Sequence, residues 1–308
     1  MKDIRSALIV GAGAIGAAVA SRIYDVDPNA ISICAEGGRR ERYRRDGFIV
    51  NGKAYDFRIA EPDADAPAEL VIVAVKAYAL EEAIEAMRPF VGPETIIVSL
   101  LNGVSSEQRL REAFGDEKVP LAFIIAIDAL RIGNRIDFSS PGVVRLGFEK
   151  GASEERRSRV QAVSRFLAAN NVPHELPENM EKALWFKFMF NVAMNQWSAV
   201  LRGSYGLFQR SAPARELLEV TMHEVLALSD ALGKGLSPSD IDAIFATLDG
   251  LNGAGRTSML QDVDARRRTE VDAFAGTVLR LADVAGVPVP MNRALYLALK
   301  ALEDAASF

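Results

Sequence analysis

Apolar runs alternate with charged, helix-patterned segments over the first half of the chain. Ala7–Val10 is a short apolar run, followed at once by a glycine-rich stretch and a helical pattern through Tyr24. Ile31–Ala35 reads as the next strand, Arg39–Asp46 as a charged helix, and Asn51-Gly52 as a turn before a strand at Tyr55–Ile59. Leu70–Val75 and Thr95–Leu101 are continuous apolar runs, the pattern of strands buried on both faces of a parallel sheet, with a helix over Tyr78–Met87 between them. Leu121–Ala126 gives a further strand. Strands and helices alternating at this spacing predict an α/β fold with a doubly wound parallel sheet.

The pattern then changes. Ser153–Asn170 predicts an amphipathic helix and Val172–Pro177 a short extended piece. From Glu178 onward the periodicity is helical throughout, broken near Gly203–Gly206, Gly233–Pro238, Gly250–Gly255 and Gly286–Pro290. The reading is therefore two domains: residues 1–178 as the sheet domain and 179–308 as an all-helical domain.

Composition narrows the chemistry. The net charge is −5 with 36 Lys plus Arg against 41 Asp plus Glu, so a strongly basic nucleic-acid binder is excluded. The apolar runs fall far short of the ~20 residues that span a bilayer. Lys2 and Arg5 before an apolar run ending at Ala18-Val19-Ala20 resemble a secretory leader. Glycines at 11, 13 and 16 interrupt that run at a spacing with its own explanation, so a cytoplasmic protein is expected. Cys34 is the one cysteine, which rules out an intrachain disulfide framework or a multi-cysteine zinc site. His174 and His223 are the two histidines and read as structural or exposed, so no metal cluster is expected and a proton donor must come from another residue type.

Gly11-x-Gly13-x-x-Gly16 lies between a strand and a helix, as a Rossmann-type dinucleotide fingerprint requires. The first glycine permits the tight turn, the second a close backbone approach to the pyrophosphate, the third close helix–strand packing. The helix N-terminus, from Ala14 and Ile15 onward, offers free N–H groups to phosphate. Glu36, twenty residues past Gly16, stands where an acid binds the ribose hydroxyls of NAD. Arg39, Arg40, Arg42, Arg44 and Arg45 follow it; arginine suits the 2′-phosphate of NADP, although most of the five are expected to be a solvated helix face.

In the second half, Trp185–Ser198 is a largely apolar segment whose polar exceptions are read as Lys187, Asn191 and Asn195. The spacing of four places these three within about 80° of helix arc and about 12 Å of length. Phe186, Phe188, Met189 and Phe190 occupy most other directions, so the stripe is expected to face a ligand rather than solvent. Ser258–Asp262, followed by Arg267–Asp272, is a second candidate segment; Glu270 lies close to the middle of a long helical stretch and by itself reads as a surface charge paired with Arg266 one turn earlier.

Taken in order, the Gly11–Gly16 loop, Lys76 in Val-Lys-Ala-Tyr, Asn102-Gly103, Lys187-x3-Asn191-x3-Asn195, Ser258–Asp262, Thr269-Glu270 and Gly286–Asn292 resemble the ketopantoate reductase (2-dehydropantoate 2-reductase) family. The resemblance implies NADPH-dependent reduction of a 2-oxo acid to a 2-hydroxy acid, with Lys187 as general acid and Glu270 orienting it. It further implies that Asn191, Asn195 and Ser258 bind substrate, that Asn102 lies near substrate and nicotinamide ribose, and that Lys76 helps bind the 2′-phosphate; Arg39 or Arg40, read from this chain's own residues, also favours NADP. A homodimer through the helical domain is also expected.

The chain departs from that family at Ala35-Glu36-Gly37, where an arginine is usual, at Gln196, often proline, and over Ile127–Phe148, which lacks the usual glycine-rich hairpin signature. NADP is the expected cofactor, with NAD the alternative that Glu36 supports. Two other functions fit the same residues: a related lysine-dependent hydroxyacid dehydrogenase acting on another 2-oxo or β-hydroxy acid, and a non-catalytic dinucleotide sensor.

Overall fold

A computed structural model of the chain describes residues 3–62 and 67–306; Lys2 of the basic N-terminus lies outside them. The chain divides into two compact units, Met1–Asn102 with Ser106–Met180, and Gly103–Ser105 with Glu181–Phe308.

The first unit is built on a parallel sheet. Strands β1 (Ala7–Val10) and β2 (Ile31–Cys34) flank helix α1 (Ala14–Val26) in sequence, and α2 (Gly37–Asp46) follows β2. Next come β3 (Phe48–Val50), β4 (Lys53–Tyr55), β5 (Arg58–Ile59), β6 (Leu70–Val73), α3 (Leu80–Met87), β7 (Ile96–Ser99) and α4 (Ser106–Phe114). The sheet order is β5-β2-β1-β6-β7. Side chains alternate between its two faces. Ile9, Ile33, Ile72 and Val98 pack with Ala17, Ala20 and Ile23 of α1. Leu8, Val10, Val71 and Ile97 pack with Leu80, Ile84 and Met87 of α3 and Leu110 of α4. Both faces are covered, which is why these strands read as unbroken apolar runs.

The expected strand at Tyr55–Ile59 is two short strands in different sheets. Asn51 and Gly52, at φ +47° and +79°, form the tight turn that pairs Val50 with Lys53; β5 then joins the parallel sheet beside β2. The apolar run at Leu121 also departs from expectation. It forms β8 (Leu121–Ile127), outside the parallel sheet, in an antiparallel ladder with β11 (Pro141–Gly147). Between them, β9 (Leu130–Ile132) and β10 (Arg135–Asp137) form a hairpin about Gly133-Asn134 and continue the sheet of β3 and β4. The Asp128 carboxylate closes this excursion by accepting from the N–H groups of Ser139 and Ser140 at 2.9 and 2.8 Å. A hairpin therefore forms without the glycine-rich signature. Helix α5 (Glu154–Ala169) and β12 (His174–Glu175) complete the unit, and His174 is held by Ser164 and the Val172 carbonyl at 2.8 and 3.0 Å.

The second unit is helical: α6 (Met180–Leu201), α7 (Tyr205–Arg210), α8 (Ala212–Ala231), α9 (Pro238–Asp249), α10 (Ser258–Asp264), α11 (Ala275–Ala285) and α12 (Pro290–Ala306). Phe188, Met189, Val192 and Met194 of α6 share one core with Leu218 and Met222 of α8, Ile244 of α9, Val278 of α11 and Leu299 of α12. Helix α6 buries residues all round its circumference and is the unit's central element. The Gly286–Asn292 motif is a helix junction: Gly286 at φ +69° ends α11, and the Glu224 carboxylate accepts from Met291 and Asn292 N–H at 2.6 and 2.9 Å to cap α12.

Glycine is sterically required where α1 leaves β1. A Cβ at Gly16 would lie far inside van der Waals contact distance of the Gly11 carbonyl oxygen and 3.1 Å from Ile9 Cγ2. A Cβ at Gly13 would meet only the Ala74 carbonyl oxygen, 4.0 Å away. Chemical denaturation should therefore show Gly16→Ala destabilised by about 1–3 kcal/mol or more and Gly13→Ala by less than about 1 kcal/mol; equal losses would remove the packing explanation.

Glu107 on α4 is buried, with its carboxylate accepting from Ala122 N–H and the Ser106 hydroxyl at 3.3 and 2.9 Å. Burial raises its pKa above the ordinary value, against the lowering effect of those hydrogen bonds and of Arg111. A raised folded-state value means that this carboxyl costs stability progressively as pH climbs from the ordinary carboxylate range through the raised value. The Glu107→Gln protein should gain melting temperature relative to wild type more at pH 8 than at pH 5; a difference independent of pH would contradict this.

Candidate active site

The glycine loop forms an open cradle. Gly11 has φ +95°, and a Cβ there would fall 2.6 Å from Val75 Cγ1 and 2.9 Å from the Ala74 carbonyl oxygen. Gly13 is the N-cap of α1, with space before it, and the first turn carries no acidic residue and no capping side chain. The N–H groups of Ala14, Ile15 and Gly16 therefore have no intrahelical acceptor and present the positive end of the helix dipole. These features fit a dinucleotide pyrophosphate.

Beyond β2, Glu36 is exposed at the N-cap of α2 and makes no capping bond. Four of the five arginines that follow are already matched. Arg39 pairs with Glu82 at 3.4 Å, and Arg40 with Glu61 at 2.8 Å and with the Ala35 carbonyl at 3.0 Å. Arg44 also reaches Glu61, at 2.5 Å, and Arg45 pairs with Asp46 at 2.7 Å. Lys76 is half-buried just past β6, at the start of the turn Ala77–Ala79. Cys34 is buried at the end of β2; burial, aided by Glu36, pushes its thiol up to about 11, so it is an inert core residue.

The β9–β10 hairpin contributes a residue that the sequence reading missed. The Arg131 guanidinium donates to the carbonyl of Ala12, inside the glycine loop, and to that of Gly133 at 2.8 Å. It stacks over Tyr43 and Phe48 at 5.5 and 5.6 Å. A lone arginine in a short exposed strand carries no sequence signal of this kind; the Gly133-Asn134 turn was the available hint that the segment folds back.

In the second unit, Lys187, Asn191 and Asn195 lie on one continuous helix, α6. Asn191 and Asn195 are 8% and 6% exposed and Lys187 is half-buried, so the stripe does not face bulk solvent. Ser198, eleven residues past Lys187, falls within about 20° of it around the helix. Its hydroxyl accepts from the Thr257 hydroxyl at 3.1 Å and donates to the Gly203 carbonyl at 2.6 Å. Thr257 is the N-cap of α10, accepting from Leu260 N–H at 3.2 Å. This contact anchors the start of α10, and with it the exposed Ser258, at the C-terminal end of the stripe.

Glu270 is not in the middle of a helix. Helix α10 ends at Asp264, Arg266 adopts φ +51°, and Glu270 begins a tight turn over Val271–Ala273, so no helical spacing relates Arg266 to Glu270. The turn is held from two sides. Thr269 donates its N–H and hydroxyl to Glu303 at 2.7 and 2.6 Å. Burial works to raise the Glu303 pKa, but the hydrogen bonds from Thr269 and Lys300 outweigh it and hold the carboxyl below its ordinary value. On the other side, Gln196 accepts from Ala275 N–H at 3.2 Å and donates to the Val192 carbonyl at 2.7 Å. Glu270 itself is only 6% exposed, so it is a buried carboxyl and not the surface charge that its sequence setting suggests. Gly103, at φ +97°, packs against this turn: a Cβ there would lie 3.2 Å from the Ala273 carbonyl oxygen. Asn102, half-buried, directly precedes it.

Among the described residues, no group of three or more His, Cys, Asp or Glu is placed to hold a metal ion, and no helix is long and apolar enough to cross a membrane.

Both units match known proteins. Residues 7–151 match the family model described as ketopantoate reductase PanE/ApbA, and residues 179–303 match its C-terminal model. A 2-dehydropantoate 2-reductase of Aquifex aeolicus is 27% identical over 308 aligned positions, covering 96% of each chain. Among solved structures, D-mandelate dehydrogenase with NADH and anilino(oxo)acetate superposes with a TM-score of 0.88 at 19% identity, covering 98% of this chain and 100% of that one. A dimeric ketopantoate reductase from Staphylococcus aureus gives 0.79 at 18% identity, covering 98% and 99%. With its glycine cradle in one unit and its lysine–asparagine stripe in the other, both inside segments that the family models match, this chain is an NAD(P)H-dependent oxidoreductase and belongs to the ketopantoate reductase family.

Proposed function

We propose that the protein reduces 2-dehydropantoate, or a close 2-oxo acid relative, to the 2-hydroxy acid with NADPH, using Lys187 as the general acid. The observation that carries the reading is the α6 stripe: one ammonium group and two amides held together on a face withdrawn from solvent. When bound, the reduced nicotinamide supplies hydride to the carbonyl carbon. Negative charge then grows on the carbonyl oxygen, where the Lys187 ammonium stabilises it and gives up its proton. The buried Glu270 carboxylate orients that ammonium. Asn191, Asn195 and Ser258 hydrogen-bond the substrate's carboxylate and hydroxyl groups, and Asn102 serves the ribose and substrate. Gly11, Gly13, Ala14, Ile15 and Gly16 seat the pyrophosphate, while Lys76 answers the 2′-phosphate; Arg39, expected to join it from α2, is instead paired with Glu82 at 3.4 Å. A homodimer is part of the same reading, supported by the dimeric ketopantoate reductase of Staphylococcus aureus; the helical unit is the surface we assign to it.

A second cofactor reading rests on Glu36. It stands exposed at the ribose end of β2 and opposes a phosphate there, which favours NAD. Titrating the purified protein with NADPH and NADH separates the two.

Replacing Lys187 with alanine should lower turnover of 2-dehydropantoate by about 10²- to 10⁴-fold while leaving the dissociation constant of the reduced cofactor within a few-fold of wild type. Turnover at near wild-type rate would discard Lys187 as the acid. Good turnover by wild type of a bulky aromatic 2-oxo acid, with none of 2-dehydropantoate, would reassign the substrate but not the chemistry.

A further inference from the structure

A basic recess lies beside the glycine loop. It has a volume of about 570 Å³ and is lined by Arg42, Tyr43, Asp46, Gly47, Arg131, Gly133 and Asn134. Arg42 is the member of the α2 arginine cluster that makes no salt bridge among the described residues, standing only within electrostatic range of Asp46, and Arg131 makes none either. Both guanidinium groups stack on one ring: Arg42 stands 5.7 Å and Arg131 5.5 Å from the centroid of Tyr43. The acidic member of the lining, Asp46, is already engaged by Arg45 at 2.7 Å. Its main-chain carbonyl is engaged by the Asn134 amide, also at 2.7 Å.

Two cations sharing one aromatic platform repel each other, and the aromatic attraction and the exposed Asp46, itself bound to Arg45, offset only part of that cost. An anion with several acceptor oxygens between them would reverse the sign of the interaction. The position narrows which anion. Arg131 spans from the recess to the Ala12 carbonyl, within the loop that seats the dinucleotide. Arg42 lies on the helix that follows the ribose-binding end of β2, about 7–8 Å along from its start.

We propose that Arg42 and Arg131 bind the 2′-phosphate of NADP, replacing the arginine that this chain lacks at Glu36. The inference rests on the cofactor assigned above and names the residues that decide it. Arg39 and Arg40, nearer to Glu36, are occupied by Glu82 and Glu61. Glu36 then discourages a phosphate at the end of β2 while the recess accepts it further along α2.

The test is binding, measured by fluorescence or calorimetry with NADPH, NADH and 2′,5′-ADP. Arg42 is exposed and makes no hydrogen bond that the fold depends on, so Arg42→Gln should fold normally. Arg131→Lys keeps the charge and loses the fork that also reaches Ala12. Each variant should lower the NADPH-to-NADH affinity ratio by at least about tenfold, and both should weaken 2′,5′-ADP. Unchanged ratios in both variants would overturn the proposal. So would equal losses for NADPH and NADH, which would make Arg131 a support of the loop or a pyrophosphate ligand. A wild-type protein that prefers NADH would instead overturn the NADP assignment itself, a different result from an NADPH-preferring protein that is indifferent to both substitutions.

Discussion

The first turn of α1 lies so close to the end of β1 that no side chain fits between them. Gly16 sits against the carbonyl of Gly11, and Gly11 against Ala74 and Val75. This approach fixes where α1 starts, and so where its unpaired N–H groups point. It also fixes the layer of Ala17, Ala20 and Ile23 against Ile9 and Ile33, which is one of the two apolar faces of the sheet. The cradle for an anion and the packing of the sheet are thus consequences of the same contact.

In the helical unit the corresponding constraint is polar. Helix α6 is buried on all sides, and its amides must be satisfied inside the protein or by a ligand. Gln196 and Ser198 are satisfied internally, to Ala275 and Gly203. These two side chains set α6 in register with the Glu270 turn and with the start of α10. Separate anchors on opposite sides of the helix thereby position three segments that are far apart in sequence.

How much of this was legible before the structure differs by element. The parallel sheet was clear because β1, β2, β6 and β7 are buried on both faces and read as unbroken apolar runs. The run at Leu121 looks the same, but an apolar run does not state which partner it pairs with. Its antiparallel partner is selected by Asp128 reaching Ser139 and Ser140, side-chain bonds with no periodic signature. The lysine–asparagine stripe was visible because a spacing of four is a property of one helix. Glu270 was misplaced because the turn carrying it is held by Glu303, thirty-four residues after Thr269. Arg131 was missed for the same reason: its partner Ala12 lies 119 residues away.

The Gln196 contact has a consequence for how this chain can diverge. Where a proline after the asparagine would set the path of its own helix backbone, glutamine sets it through a bond to another helix. That arrangement makes position 196 dependent on an accessible N–H at position 275, and on the short Ala275 side chain that lets the amide reach it. Drift at either site is then tolerated only when the other changes with it. Sequences built like this one should carry the two positions as a correlated pair, while sequences with proline should vary freely at the second.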